Sequence, residues 1–288
     1  MDDRHPDKDG SPKDLLPFPP RPYDSQAARQ FLRAWDMEPR NRSLSFIPSD
    51  ATYRAKLAGA KAPLLLREAL RVAMVENRTP FGLVLPEAIR AERERTFARI
   101  DNQRDSHFSL GRAANRRDLA ICRGALLPCG VEAGDPASGV PRRLLVSGGL
   151  RQGLAAAWHL LARCGGFRPF VELHFDRRDI QRFDAAGYTA LYRNLADLLR
   201  ANPRLRGVTS ASWWHDPALG EAFDFIDGVP RQHGAAFFPV GEDAHATADA
   251  LRFSPERQRL HAEGRYRPAV WMMVWPRRAL LRWDEAGR

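Results

Sequence analysis

Cysteine, long apolar runs and an apolar N-terminus are the features that this sequence of 288 residues most clearly lacks. Its three cysteines are widely spaced and odd in number, which argues against a small domain held together by disulfides. No apolar run approaches the roughly 20 residues of a membrane-spanning helix. The opening MDDRHPDKDGSPKD has no apolar core of a signal peptide. The sequence therefore predicts a cytoplasmic protein with reduced thiols, and Cys122 and Cys129 are expected to be buried and inert.

Lysine is also scarce, although the chain is strongly basic, with a net charge of +10 and a pI near 10.2. Almost all of its 45 basic residues are arginine, a skew that is typical of a GC-rich bacterial genome. The arginines are spread along the chain among aspartates and glutamates, which indicates a solvated surface rather than a nucleic-acid interface. A non-enzymatic protein that binds nucleic acid or another partner through this surface is an alternative hypothesis.

Composition divides the chain into three parts. Residues 1–22 are rich in Asp, Lys, Pro and Gly and are predicted to be a disordered tail. Residues 23–135 mix helical patterns with strand-like runs, for example at 119–122. The turn-rich segment GDPASGVP, residues 134–141, marks a soft boundary with a C-terminal α/β region, residues 136–288.

The C-terminal region is organised around the segment FVELHFD, residues 170–176. Its apolar side chains alternate with Glu172 and His174, which is the pattern of a β-strand. Apolar residues at 188–199 recur at helical spacing, and a second run of strand-forming residues follows at 208–214. This order predicts two parallel strands joined by a right-handed crossover. The expected fold class is therefore α/β (α+β): a mixed sheet with a central parallel βαβ unit and flanking helices.

Polar and aromatic residues crowd the ends of both predicted strands. Because parallel strands end at the same edge of a sheet, and ligands bind there in open α/β sheets, we expect a site at this edge. An imidazole there can act as an acid or base near neutral pH. In a purely structural alternative, one tryptophan is in the core and Asp216 caps the next helix. The residues brought together would be His174, Asp176, Trp213, Trp214, His215 and Asp216.

His174 and Asp176 also have the His-x-Asp spacing of an iron facial triad. A distant histidine, one of His233, His245 and His261, could supply the third ligand. This hypothesis of a metal-dependent, oxygenase-like enzyme is less favoured, because that chemistry usually sits in a jelly-roll of strands and a long helix follows here. The predicted site therefore contains no metal.

The region from about Val171 onward resembles the C-terminal half of GNAT-type acyltransferases. The resemblance lies in ELH at 172–174, the helix that follows, and SWWHDP at 212–217. Those proteins run strand, helix, strand, helix, strand, and a splayed pair of parallel strands holds acyl-CoA. The resemblance implies a GNAT-like C-terminal half that takes acyl-CoA as a substrate, with the pyrophosphate on the loop that opens the central helix. By position, the residues that bind it would be Arg177, Arg178 and Gly187.

Charge supports that location, since two arginines just before a helix would add to the favourable field of the helix N-terminus. The LPCG, SWWHDP and RYRP segments are also similar to those of a group of bacterial proteins of unassigned function.

The sequence thus favours an enzyme that transfers an acyl group from acyl-CoA, or a similar thioester, to an amine. Glu172 or His174 would act as the base, and His215 would be a second proton carrier that Asp216 orients. The residues that bind the small-molecule substrate would be Trp213 and Trp214.

Overall fold

A computed structural model gives the fold of most of the chain. The predicted disordered tail at 1–22 lies outside the described residues. No helix within the described part is long and apolar enough to cross a membrane. The structure describes residues 25–37, 62–76, 82–104, 107–109, 112–252 and 254–288.

Four helices in the first half of the described chain pack around a small apolar core. One of them corrects a prediction, because the strand expected at 119–122 is the last turn of a helix. All four residues of that run are buried, and a short, fully apolar run does not distinguish a buried strand from a buried helix. The helices are α1 (Ser25–Met37), α2 (Ala62–Glu76), α3 (Glu87–Asp101) and α4 (Ala113–Cys122).

A six-stranded mixed sheet occupies the second half of the chain, in the order β1-β2-β3-β4-β6-β5. The central neighbours β3 and β4 are parallel, whereas the other neighbouring pairs are antiparallel. This confirms the mixed sheet with a central parallel pair. The strands are β1 (Leu127–Pro128), β2 (Glu132–Ser138), β3 (Phe170–Phe175), β4 (Gly207–Ser212), β5 (Ala236–Gly241) and β6 (Val270–Pro276).

Strand β2 replaces most of the turn-rich loop that the sequence predicts at 134–141. Gly134 is needed there because a Cβ atom would lie 2.5 Å from Cγ1 of Val171 on the neighbouring strand. Pro136 lies where the pairing of β2 with β3 shifts register between Asp135 and Ser138, and such irregularities tolerate proline in a strand. The sheet therefore includes strands from both sides of the boundary expected near residue 135.

Helices cover both faces of the sheet. The long crossover helix between β3 and β4 buries its apolar stripe on one face. A second helix packs on the opposite face, against Phe170, Phe238 and Val274. The remaining helices are α5 (Gly149–Trp158, extended by a π-helical turn, His159–Arg163), α6 (Ala185–Ala201, the crossover helix), α7 (Asp224–Gln232), α8 (Ala244–Leu251), α9 (Pro255–Ala262) and α10 (Arg277–Ala286).

The stripe of α6 holds the largest apolar cluster together, so it should carry much of the stability. Leu191 lies in that stripe and is fully buried. Leu191→Ala is expected to lower the free energy of unfolding by about 2–5 kcal/mol, because it removes apolar contacts and leaves a cavity. Urea denaturation measures this, with Val75→Ala on α2, where the residue is 86% exposed, as the control. A loss as small as that of the control would contradict the central role of α6.

Candidate functional site

The parallel strands β3 and β4 pair over only part of their length. Their ladder joins Val171 to Val208 and ends where Leu173 faces Ser210. Both strands continue beyond this point, β3 to Phe175 and β4 to Ser212. The carboxyl ends of the two central strands are therefore not hydrogen-bonded to each other. This opening lies at the sheet edge where the sequence predicts a site.

A buried chain of three polar side chains lies beside the opening. The Nε2 atom of His215 is 3.0 Å from the hydroxyl of Ser210, and its Nδ1 atom is 2.6 Å from Oδ1 of Asp227. All three side chains are almost completely buried. Because a carboxylate only accepts hydrogen bonds, Nδ1 carries the proton and Nε2 accepts from the serine. The two hydrogen bonds thus select one tautomer of the imidazole.

Local chain geometry assembles this chain of hydrogen bonds. Ser210 is on β4, and a 3₁₀ turn directly after the strand, Trp213–His215, folds the imidazole back toward it. Asp227 lies in the first turn of α7, and Arg231, one turn later, donates to its other oxygen at 3.0 Å. The Arg231 guanidinium in turn lies 3.9 Å from the ring centre of Phe237. Asp227 is therefore fixed from two sides.

The carboxylate that orients His215 is Asp227 and not, as the sequence suggested, Asp216. Asp216 accepts a hydrogen bond from the backbone amide of Ala218 at 3.0 Å and so caps the 3₁₀ segment Pro217–Phe223. The purely structural alternative predicted this capping role for Asp216. Its other oxygen accepts from the amide of Ala269 at 3.3 Å.

A second buried acid–base pair comes from β2 and α6. The hydroxyl of Tyr188 donates to Oε1 of Glu132 at 2.7 Å. The Oε2 atom of Glu132 is buried and has no hydrogen-bond partner among the described residues. Burial raises the pKa of Glu132, and the hydrogen bond from Tyr188 and the charge of Arg117 offset only part of this effect. A buried carboxyl group with a raised pKa and a free oxygen is a candidate proton carrier.

Aromatic side chains surround the opening between the strands. The rings of Phe175 and Phe183 each lie 5.8 Å, centre to centre, from the indole of Trp214. The Nε1 atom of Trp214 is buried, and none of the described residues accepts its proton. Trp213 packs edge-on against Phe223, with ring centres 5.4 Å apart. Both tryptophans predicted to bind substrate are thus at the opening.

Trp214 and Glu132 each present one buried atom without a hydrogen-bond partner in the part of the chain that the structure describes, a donor on Trp214 and an acceptor on Glu132. A buried polar group without a partner costs about 1–3 kcal/mol, so it commonly binds a ligand or an ordered water. Glu132 is the register partner of Phe175 across β2 and β3, and Phe175 contacts Trp214. The unpaired donor and acceptor therefore flank the same aromatic ring.

Glu132 also lines a small polar cleft of about 50 Å³. The cleft lies between α3, α4 and the segment that follows β3, and it has room for a few water-sized groups. Arg117 and Arg178 contribute positive charge to its wall, and Asp176 contributes negative charge.

Glu172 and His174 do not join His215, although the sequence placed all three together. Side chains alternate along β3: Leu173 and Phe175 face α6, so Glu172 and His174 face the opposite side of the sheet. Glu172 accepts a hydrogen bond from the hydroxyl of Ser138. Burial, with a smaller effect of the Arg117 charge, lowers the pKa of His174 to about 4. A neutral imidazole that is so weakly basic is a poor general base.

The lowered pKa of His174 predicts how stability depends on pH. The unfolded chain binds a proton at this imidazole near its ordinary pKa of 6.5, whereas the folded chain does so only near 4. Stability should therefore rise by up to about 3 kcal/mol between pH 4 and 6.5. His174→Gln is expected to flatten this rise in urea denaturation, whereas His245→Gln, whose side chain is 90% exposed, should not. Equal slopes in all three proteins would refute the assignment.

The residues predicted to bind the acyl-CoA pyrophosphate all have partners within the protein. Arg178 donates to Asp118 at 2.8 Å and to Asp176 at 2.6 Å. Burial alone would raise the pKa of Asp176, but the hydrogen bonds and charges of its arginine neighbours hold it at about 2. Arg177 pairs with Asp249 at 3.2 Å, near the surface.

Gly187 lies in the first turn of α6, where its amide donates to the N-cap carboxylate of Asp184 at 2.8 Å. A Cβ atom at this position would lie 1.9 Å from the carbonyl oxygen of Arg182. Glycine is therefore required here by close packing of the backbone, whatever else the loop does.

The described part of the chain holds no group of three His, Cys, Asp or Glu side chains placed to bind a metal ion. The iron-centre hypothesis for His174 and Asp176 therefore lacks a third ligand within those residues. Cys122 and Cys129 are buried, as expected, and burial raises the pKa of Cys129 to about 12. These thiols are unsuited to act as nucleophiles near neutral pH.

Four residues of this site, Glu132, Tyr188, Ser210 and Asp227, were not predicted from the sequence. The helical spacing places Tyr188 in the apolar stripe of α6. Its hydroxyl is the one sequence signal that this residue has a polar partner. Together the arrangement supplies two proton carriers, a hydrogen-bond donor and an apolar wall at an opened strand pair. No protein-family model, curated protein or solved structure matches this chain.

Proposed function

We propose that this chain is an acyltransferase that moves an acyl group from acyl-CoA, or a similar thioester, to an amine. The observation that carries the proposal is the opened end of the parallel pair β3 and β4, with the proton carriers Glu132 and His215 beside it. Acyl transfer to an amine needs a base near neutral pH and a held carbonyl group. Both requirements have candidates at this opening.

The order of elements supports the same proposal. In GNAT-type acyltransferases a splayed pair of parallel strands within the order strand, helix, strand, helix, strand holds acyl-CoA. The described chain has that order in β3, α6, β4, α7 and β5, with β3 and β4 parallel. A GNAT-like C-terminal half is therefore part of the proposal.

The proposed chemistry assigns each proton a carrier. Glu132 accepts a proton from the substrate ammonium group through its unpaired Oε2, and the free amine attacks the thioester carbonyl carbon. Trp214 Nε1 donates a hydrogen bond to the carbonyl oxygen as its negative charge develops. The C–N bond forms and the C–S bond breaks. Nε2 of His215 takes up the proton that the attacking nitrogen loses and gives it to the departing thiolate. The base is thus Glu132 instead of Glu172 or His174.

Arg177 is proposed as the contact for the anionic part of acyl-CoA. Its side chain is 56% exposed, and its ion pair with Asp249 is superficial, so it can exchange partners at little cost. Arg178 is bound to two carboxylates, one of them fully buried, and is proposed to hold the loop in place. Gly187 is proposed to let the loop close on the start of α6.

Acyl-CoA binding and turnover test the proposal. Acetyl-CoA at about 100 times its Kd should raise the Tm by about 5 °C, and amines should release CoA thiol in its presence. Arg177→Gln is expected to reduce the Tm shift, whereas Arg259→Gln, a similarly exposed and paired arginine on α9, should not. The proposal fails if neither short- nor long-chain acyl-CoA shifts the Tm or releases thiol.

A second candidate, transfer or hydrolysis through an acyl-enzyme, is favoured by the Ser210–His215–Asp227 chain. In that route the Ser210 hydroxyl oxygen attacks the carbonyl carbon and gives its proton to Nε2 of His215. A fluorophosphonate should then phosphonylate the wild type with loss of fluoride, which adds the mass of the reagent minus HF, and should not label Ser210→Ala. Direct attack by the amine predicts no labelling and an active Ser210→Ala variant.

A further inference from the structure

Helix α5 carries a stripe of large apolar side chains on its outer surface. Successive members are three or four residues apart, so they lie on one face of the helix and the turn before it. The stripe is defined by Val146, Leu150, Leu154, Trp158 and Leu161, which are 77%, 81%, 64%, 69% and 59% exposed.

The stripe is held rigidly in this position because the other side of α5 is packed. Ala156 and Leu160 are fully buried in the cluster under the sheet. Gly153 lies so close to the preceding turn that a Cβ atom would be 2.2 Å from the carbonyl oxygen of Leu145. Gln152 donates to the carbonyl oxygen of Pro239 at 3.0 Å and ties α5 to β5. The exposed face is therefore a permanent feature of the folded chain.

An outward face of this kind is unusual. The largest apolar patch on a monomeric protein is typically about 300–600 Å² and commonly functional. Here five large apolar side chains lie on one face, and each is more than half exposed. Contact with water alone does not explain why these five large apolar side chains are exposed.

Charge along the segment that carries the stripe is of one sign. Residues 136–171, which contain α5, include no Asp or Glu. The same segment includes five arginines: Arg142, Arg143, Arg151, Arg163 and Arg168. The segment is therefore basic, although the chain as a whole mixes both signs.

We propose that the stripe docks the protein on an anionic lipid membrane surface. Leucine and tryptophan side chains enter the boundary between headgroups and acyl chains, and flanking arginines attract anionic headgroups. A second copy of the chain is disfavoured, because a two-fold axis through α5 would bring arginines of one sign together. The proposal is independent of the acyltransferase function, since the stripe is on the sheet face opposite α6.

Vesicle flotation of the full chain tests the docking surface. Vesicles of phosphatidylcholine with 30–40% phosphatidylglycerol, on the order of the anionic content needed for electrostatic attraction, should bind the wild type. Pure phosphatidylcholine and 0.5 M salt should weaken binding by about tenfold or more. The double variant Leu154→Ser, Trp158→Ser is expected to lose binding by at least about tenfold. Val75→Ser, which removes an equally exposed apolar side chain from α2, should bind normally.

Several outcomes of the flotation experiment would overturn the proposal. Binding that the double variant retains, or no binding to either vesicle, overturns the proposal. Concentration-dependent dimers that the double variant dissociates, without vesicle binding, assign the stripe to a second copy and also overturn it. Unchanged circular dichroism and Tm in the double variant ensure that lost binding does not reflect unfolding. Arg142→Gln with Arg143→Gln should weaken binding to anionic vesicles and leave binding to neutral ones unchanged.

Discussion

Glu132→Gln is expected to lower the rate of acyl transfer by about 10²- to 10⁴-fold, which is the range for loss of a general base. Glutamine has the shape of glutamate and can still accept the hydrogen bond from Tyr188, but it cannot take a proton from an ammonium group. The loss should appear in kcat, while the KM for acyl-CoA stays close to that of the wild type. Release of CoA thiol at saturating amine measures it.

The pH profile gives a second readout for Glu132. Because burial raises its pKa, the basic form accumulates only as the pH rises, so the wild-type rate should increase with pH and then level off. The residual rate of Glu132→Gln should lack this step. The raised pKa also means that ionised Glu132 destabilises the fold above the ordinary pKa of 4.5. The variant should therefore be at least as stable as the wild type at pH 8.

Glu172→Gln is the matched control, because Glu172 lies on neighbouring β3 but faces the other side of the sheet. It should keep most of the wild-type rate. If Glu172→Gln loses activity and Glu132→Gln does not, the base is Glu172, one of the two candidates from the sequence, and the assignment to Glu132 is wrong.

The central βαβ unit could be predicted because its signals are local and periodic. Alternation along β3 and the helical spacing from Tyr188 to Leu199 are each complete within one element, and both elements form as expected. The segment at 134–141 could not be predicted in the same way. Its glycine and proline usually indicate a turn, and only the close approach of Val171 and a register shift explain them in a strand.

The site was predicted less well than the fold because its contacts are distant in sequence. The sequence places Trp213, Trp214 and His215 directly after β4, and they form a 3₁₀ turn at the end of that strand. Glu132 reaches this edge of the sheet only through antiparallel pairing of β2 with β3, some 40 residues later. Asp227 reaches the same edge because α7 turns back over β4. A search among sequence neighbours selects Asp216 instead, and only the fold corrects this.

Asp227→Asn is expected to reduce acyl transfer by about 10²-fold or more and to destabilise the fold by about 1.5–3 kcal/mol. Asp227 does not touch the reacting atoms; it is a positioning residue. Its Oδ1 atom, 2.6 Å from Nδ1 of His215, keeps the proton on Nδ1 and leaves Nε2 as the acceptor. An asparagine can present its amide nitrogen to Nδ1 and so favour the other tautomer, which moves the imidazole proton to the side of Ser210.

A purely structural role for Asp227 would lower stability but leave the tautomer of His215 unchanged, so the nitrogen NMR shifts of that imidazole separate the two explanations. In Asp227→Asn the Nδ1 and Nε2 signals should exchange character, and the rate should fall at all pH values at which the protein is folded. Asp216→Asn is the control: its side-chain oxygen can still cap the amide of Ala218, because asparagine caps a helix about as well as aspartate, so it should leave stability, both His215 signals and the rate near those of the wild type. A wild-type rate in Asp227→Asn would mean that the buried Ser210–His215–Asp227 chain serves stability alone, and acyl transfer would then depend on Glu132 and Trp214, the two residues with unpaired buried atoms at the opening.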